Sequence, residues 1–593
     1  MEKIHYTNER NILLVISLLK EHHIRKIIAS PGTTNHTLVK SMQNDPWFEL
    51  YSSVDERSAA YMACGLCSES GEPVVITCTE ATASRNYMPG LTEAYYRKLP
   101  ILALTTSHGR RNVGNLAAQV IDHSIVPRDI AIYHNYIPAI SSEKDYKEAE
   151  SIANEAFLAL SHRGGGPVYL TIESVASRDY SITELPKIKR IMRFNGHGEW
   201  PIPPKGKIGV FVGSHQEWSE SAMKVLEQFC EITGAVVFCD HTSGYYGRYK
   251  VNYSLAGSQD MYRSELSKMQ LLINVGEVSG DYFSDLLGGQ ASEVWRVSED
   301  GRLADKWGNL SIVFEMPEEY FFAHYASALS GDKVNTHPIG LYRKERAMLE
   351  SHIPELPFSK VWMAQQFMGK LPVGSYIHFS ILGSLRAGNF FDLPDGVKSS
   401  CNVGGFGIDG ATSTLMGASL AHKDRLHFLM TGDLAFFYDL NAIGNRHIGP
   451  NVRILLVNNG DGTEFRMYWH PISAFTKEEA DSYMAAGGHF GNQSRGLVKD
   501  MAKNLGFDYL SAENKEEFLA QMPTFLQPTI TDKPIILEVF TYSETDNEAV
   551  RAIRNLAKDE GYAKRSAKRK LTETVKKIVG EETVEMAKLI FKH

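Results

Sequence analysis

An acid ends one strand-like run of this chain, and a pair of asparagines ends the next. LHFLMTGD (426–433) closes on Gly432-Asp433, and VRILLVNN (452–459) closes on Asn458-Asn459, followed by the turn Gly460-Asp461-Gly462. Between them Leu434, Phe437, Leu440 and Ile443 recur at near-helical spacing, which places a helix start with free N–H groups beside Asp433. Such an end suits phosphate oxygens. A carboxylate there repels phosphate unless a divalent cation lies between them, and magnesium prefers a few protein oxygens plus the oxygens of a phosphorylated ligand. Asn459 offers an amide oxygen, and the backbone near Asp461 offers a carbonyl. A helix cap and an ordinary turn would explain each motif singly. A metal–diphosphate clamp explains why they occur together.

Carboxyl ends of parallel strands are where open α/β sheets hold ligands, so the clamp needs a sheet beneath it. Short β-branched runs alternate with helix-length segments along the chain, which predicts an α/β protein with three domains, each a central parallel sheet flanked by helices. The first domain, 1–185, opens with the helical NILLVISLLKEHH and carries KIIASPG, ELYSSVDE, PVVITCTE, PILALTTS and GPVYLTIES. Residues 186–206 mix Pro, Gly and charge without period and read as a linker. A second domain, 207–345, has KIGVFVG, AVVFCD, LLINVGE, EVWRVSE and SIVFEMP; a third, 355–545, has SYIHFSI, the two clamp strands and PIILEVF. The tail, 546–593, is basic and helical in composition, and its AKRSAKRK would sit on a solvated helix or against a neighbouring subunit.

A net charge of −8 over 593 residues argues against a nucleic-acid footprint. No apolar run reaches membrane-spanning length, and six cysteines form no disulfide framework, so a cytoplasmic location is expected. Cys64-Gly-Leu-Cys67 falls inside a predicted helix without a second cysteine pair and reads as core thiols rather than a zinc or redox site. Gly405-x-Gly407-x-x-Gly410 is formally a dinucleotide fingerprint, but PDGVKSSCNV before it is too polar for the strand that fingerprint requires.

Gly432-Asp433-Leu434 and Asn459, 26 positions after the acid, resemble the signature of the thiamine-diphosphate-dependent 2-oxoacid decarboxylase and acetolactate synthase superfamily. The resemblance covers roughly residues 1–545 and implies pyrimidine-binding, central and diphosphate-binding domains in that order, with thiamine diphosphate and Mg2+ as cofactors. It implies Asp433, Asn459 and Asp461 at the metal. Gly432, Leu434, Ala435, Gly462, Thr463 and Phe465 would stand around the cofactor, with Thr33, Thr82 and Asn86 from the first domain. In SSVDERSAAYMACGLC it points to Glu56 as the acid that exchanges a proton with the pyrimidine, and in NLAAQVIDH to Gln119 beside the reacting centre. In GFGIDG it assigns Ile408 to wedge the two cofactor rings and the Phe406 backbone to bond the amine, which displaces the dinucleotide reading. The implied reaction is decarboxylation of a 2-oxoacid, ligation of the remaining fragment to an acceptor, or both. The implied assembly is a homodimer or homotetramer with shared sites.

Within that superfamily, GDLAFFYDLNA, VNNGDGTEF and GFGIDG look most like the 2-succinyl-5-enolpyruvyl-6-hydroxy-3-cyclohexene-1-carboxylate synthases of menaquinone formation. Those enzymes join 2-oxoglutarate to isochorismate and need arginines for several carboxylates. Here Thr33-Thr34 replaces an expected Ser-Arg, and Val403 replaces another arginine. Each lost charge-assisted contact costs roughly 1.5–3 kcal/mol. The expectation is a paralogue with a less carboxylate-rich acceptor, with Thr34, His36, Arg85, Arg386, Arg466 and His470 as candidate substrate contacts. Two alternatives remain: that synthase itself, and a catalytically silent scaffold acting through the basic tail.

Overall fold

The computed structural model describes residues 3–332, 334, 336–488 and 494–563. Two compact units emerge, one built on Met1–Arg193 with Leu303–Ile312, the other on Phe194–Arg302 with Val313–Arg565. The first carries a sheet of β1 (Lys26–Ala29), β2 (Glu49–Ser52), β3 (Val74–Thr79), β4 (Ile101–Ser107), β5 (Tyr133–Ile137) and β6 (Val168–Glu173), in the order β2-β1-β3-β4-β6-β5. All its ladders are parallel. Because helices cover both faces, β3 and β4 read as nearly continuous apolar runs and are buried almost throughout. The opening helix, Arg10–Glu21, is buried from Asn11 to Leu19. Asn11 is tolerated there because its amide donates to the carbonyls of Pro138 (3.1 Å) and Glu173 (2.6 Å).

Two further sheets lie mostly in the second unit. One contains β7 (Met192–Phe194), β8 (Ile208–Val212), β9 (Val236–Cys239), β10 (Lys250–Asn252), β11 (Leu271–Val275), β12 (Glu293–Val297) and β13 (Leu310–Phe314), ordered β10-β9-β8-β11-β12-β13-β7. The other contains β14 (Tyr376–Phe379), β15 (Lys398–Cys401), β16 (His427–Gly432), β17 (Val452–Asn458), β18 (Asp508–Ala512) and β19 (Ile535–Phe540), ordered β15-β14-β16-β17-β19-β18. Numbered within itself, this last sheet repeats the connectivity of the first. In both, strand order reverses between the first and third strands, and that reversal opens a crevice at the carboxyl ends. In the last sheet the crevice lies between the ends of β14 and β16.

Two sequence readings change. The stretch read as a linker contains β7, and the polar PDGVKSSCNV contains β15. Both are short strands at sheet edges, where one flank is unpaired and a continuous apolar run is not required. Most of the basic AKRSAKRK run lies outside the described residues. Among the described residues no helix is long and apolar enough to cross a membrane.

Candidate active site

β16 and β17 are adjacent and parallel, with Gly432 opposite Val457, so Asp433 and the Asn458-Asn459 turn emerge side by side. The turns are tied directly: Gly460 N–H donates to Asp433 Oδ2 at 2.7 Å, and Leu434 N–H donates to Oδ1 at 2.8 Å. Asp433 is buried, and that burial pushes its carboxyl up to about 6, against the opposing pull of the two N–H groups and the nearby Lys360. The helix it opens is brief, Asp433–Tyr438, and Leu440–Gly444 continues as a tighter turn.

The two asparagines part company. Asn458 Nδ2 turns into the sheet and donates to Glu538 Oε1 at 2.7 Å, so Asn458 serves the scaffold. Asn459 Nδ2 donates to Asp546 Oδ2 at 3.1 Å, while its Oδ1 accepts from Asp461 N–H at 3.1 Å. The Asp461 carboxylate is occupied by Arg466 Nε (2.9 Å) and Ser543 Oγ (3.0 Å). Arg466 also pairs with Asp481. Its guanidinium, a candidate substrate contact in the sequence, is held between these two carboxylates. A metal drawn to these turns would meet one carboxylate and one amide oxygen. Among the described residues no group of three or more His, Cys, Asp or Glu is gathered for a metal.

Beside the clamp lies a cavity of about 900 Å3. Gly432, Asp433, Leu434, Ala435, Asp461, Gly462, Thr463 and Phe465 line it with Ile408, Arg386 and His470, so most residues expected at the cofactor from this half of the chain share one space. A Cβ at Gly462 would stand 2.8 Å from the Phe465 ring, which would have to shift. Phe406 takes a left-handed φ of 55° and packs its ring against Tyr282, 5.8 Å away. His470 meets the Phe465 ring edge-on at 5.5 Å. Tyr282, Glu464, Trp469 and Lys360 also line the cavity, and nothing in their sequence setting marks them out. Arg386 is buried and bidentate on Glu464, at 2.8 and 3.0 Å.

In the first unit, Glu56 opens the helix Glu56–Ser70 behind the capping Asp55 and is partly exposed. Asn86 Nδ2 approaches its Oε2 at 3.4 Å. Thr82 and Asn86 bound the short helix Thr82–Asn86, entered through Ala81 at a φ of 65°. Cys64 and Cys67 are buried in the Glu56 helix, and burial pushes both thiols up, which fits core thiols. Gln119 is exposed with a φ of 60°, and Thr33 is exposed after β1. Thr34 departs from expectation: its hydroxyl is fully buried among Thr79 Oγ1, Thr106 Oγ1 and Thr106 O, at 2.6, 2.7 and 2.9 Å. It links the loop after β1 to the ends of β3 and β4. Arg85 donates to the carbonyl of Asp122 at 2.8 Å, and both ring nitrogens of His36 face carbonyls, Thr33 O at 2.7 Å and Ser177 O at 3.3 Å. Glu80, unremarked in the sequence, is buried with Oε1 on His108 N–H at 3.0 Å.

Residues 13–126 match the family described as thiamine pyrophosphate enzyme, N-terminal TPP binding domain. The chain shares with the thiamine-diphosphate-dependent enzymes this N-terminal domain, which takes in β1 to β4 of the first sheet, and three helix-flanked parallel sheets. It is similar over nearly its whole length to particular members. The 2-succinyl-5-enolpyruvyl-6-hydroxy-3-cyclohexene-1-carboxylate synthase of Bacteroides fragilis is 28% identical over 564 residues, 91% of this chain and 98% of that protein. The enzymes of the same name from Flavobacterium psychrophilum and Porphyromonas gingivalis are 26% and 25% identical, covering 90% of this chain each and 96% and 95% of their own lengths.

Proposed function

We propose that this chain is a magnesium-assisted carboligase that decarboxylates a 2-oxoacid and joins the remaining fragment to a small-molecule acceptor. The observation that carries the reading is the Gly460–Asp433 tie, which binds the turn after β17 to an acid lining a cavity wide enough for a cofactor and a substrate. Thiamine diphosphate, when bound, supplies a carbon nucleophile for a 2-oxo group and accepts the charge left when carbon dioxide departs. Asp433 and Asn459, with a carbonyl of the 459–463 turn, would hold the cation that faces the diphosphate. Ile408 and Phe465 would fix the rings and keep water out. Glu56 would hold a proton at a pyrimidine nitrogen, assisted by Asn86.

Arg386 and Glu464 argue for an acceptor poorer in carboxylates than isochorismate. A guanidinium in a bidentate pair has two of its donors and its charge already met, and dissolving that pair inside a cavity is costly. The second reading is the reaction for which the relatives are named, favoured by similarity that spans 98% of the Bacteroides enzyme. A panel of 2-oxoacids with magnesium and thiamine diphosphate, assayed for carbon dioxide release alone and with aldehyde, ketone or isochorismate acceptors, separates the two. Efficient ligation of 2-oxoglutarate to isochorismate favours the second reading. Donor turnover with other acceptors favours the first, and no release from any 2-oxoacid overturns both.

Homo-oligomerisation, with Glu56 delivered by a partner subunit, belongs to the same proposal, as does a cytoplasmic location.

A further inference from the structure

We propose that Lys360 is a diphosphate-binding residue, a fixed positive charge in the clamp in addition to the metal. The inference rests on the thiamine-diphosphate reading of this site and adds a ligand that no motif announces. Lys360 opens the helix Lys360–Phe367, the end where the backbone dipole disfavours a cation. Ser359 caps that helix by accepting Trp362 N–H at 3.2 Å, and Lys360 N–H itself donates to Asp546 Oδ1 at 2.6 Å. Backbone anchoring of this kind fixes where the side chain starts. The residue is buried, 7% exposed, and burying an ammonium is expensive unless an anion meets it.

Its surroundings leave that demand open. Three cations line the cavity. Arg386 is held by Glu464, and Arg554 is held by Asp260 at 2.6 Å. Among the described residues Lys360 Nζ has no ion pair within 4 Å, although Asp433 and Asp546 lie close enough for each to be favoured as a carboxylate by its charge. Nζ lies over two positions without side chains: a Cβ added at Gly383 would stand 3.3 Å from it, and one at Gly432 3.6 Å. Gly383 follows β14 and Gly432 ends β16, the two strands between which order reverses. An ammonium above bare backbone, in the crevice where an α/β sheet takes phosphorylated ligands, matches phosphoryl oxygens rather than the thiazolium, whose charge it would repel.

Calorimetric titration of the full-length protein with thiamine diphosphate, and separately with unphosphorylated thiamine, at fixed magnesium tests this. Lys360→Met is expected to weaken diphosphate binding about tenfold or more and to leave thiamine affinity within twofold. Lys360→Arg, which keeps the charge, is expected to retain the preference for the diphosphate form and covers the case in which the methionine variant fails to fold. Equal loss for both ligands, wild-type affinity in Lys360→Met, or loss of the preference in a folded Lys360→Arg overturns the inference. If the wild-type protein binds neither ligand, the cofactor reading itself fails; if it binds the diphosphate and the variants match it, only the role of Lys360 falls.

Discussion

Asp433 is the residue on which most depends, and its burial gives it a measurable signature. Its carboxyl is raised to about 6 in the folded protein, so between its unfolded value near 4 and that pH the native state holds the proton more tightly than the unfolded chain. The stability this contributes is present at low pH and lost as pH rises through 6. Thermal melts of the apoprotein between pH 4 and 7 should therefore show a falling component that Asp433→Asn removes. A metal ligand must be deprotonated, so magnesium-dependent cofactor binding runs the opposite way, weakening about tenfold per pH unit below 6. Titrations at pH 5, 6 and 7 check that. Glu56 and Gln119 were marked by resemblance alone, and Glu56→Gln is expected to abolish turnover while cofactor affinity stays within a few-fold.

Elements matter through how closely they approach. The helix that begins with Glu56 packs against the helix Met88–Arg97 at Gly90, where a Cβ would lie 2.5 Å from Ala60 Cβ and 2.9 Å from its backbone carbon. Gly90→Ala must push the helices apart at a cost of about 1–3 kcal/mol, and the displaced helix carries Glu56 with it. A lowered denaturation midpoint with unchanged slope, accompanied by reduced turnover, is the expected pair of results; wild-type stability would mean that the packing yields freely. Asn11 makes a second case at this scale. Its two bonds satisfy the carbonyls of Pro138, just after β5, and Glu173, at the end of β6, and Asn11→Leu should cost about 1–3 kcal/mol because those oxygens lose their donor.

At the scale of the whole molecule, the residues proposed to act together are divided: Glu56 belongs to the first compact unit, Asp433 and Lys360 to the second. If each site takes Glu56 from a partner subunit, mixing Glu56→Gln with Asp433→Asn protein should restore up to about a quarter of wild-type turnover in a dimer with randomly exchanged subunits, because one of the two sites in each mixed dimer is intact. No recovery after demonstrated subunit exchange would show that both groups come from one chain. Sedimentation of the wild-type protein gives the assembly size on which that arithmetic rests.

Local sequence determined a good deal. Runs such as PVVITCTE and VRILLVNN are apolar enough to be doubly covered parallel strands, and a Gly-Asp and an Asn-Asn 26 positions on, each closing such a run, stand at the ends of strands that the fold pairs side by side. Tertiary structure decided what lies across the sheets. Sequence did not show that Asn458 would turn into the sheet, because that depends on how the chain leaves β17 and on Glu538 in the neighbouring strand β19. Nor could it foresee that Thr34 is consumed by Thr79 and Thr106, that Glu464 neutralises Arg386, or that Lys360 reaches a glycine more than seventy positions away. Hydrophobic periodicity records which face of an element is buried, whereas the partner of a polar side chain is set by strand order, and strand order is a property of the folded chain.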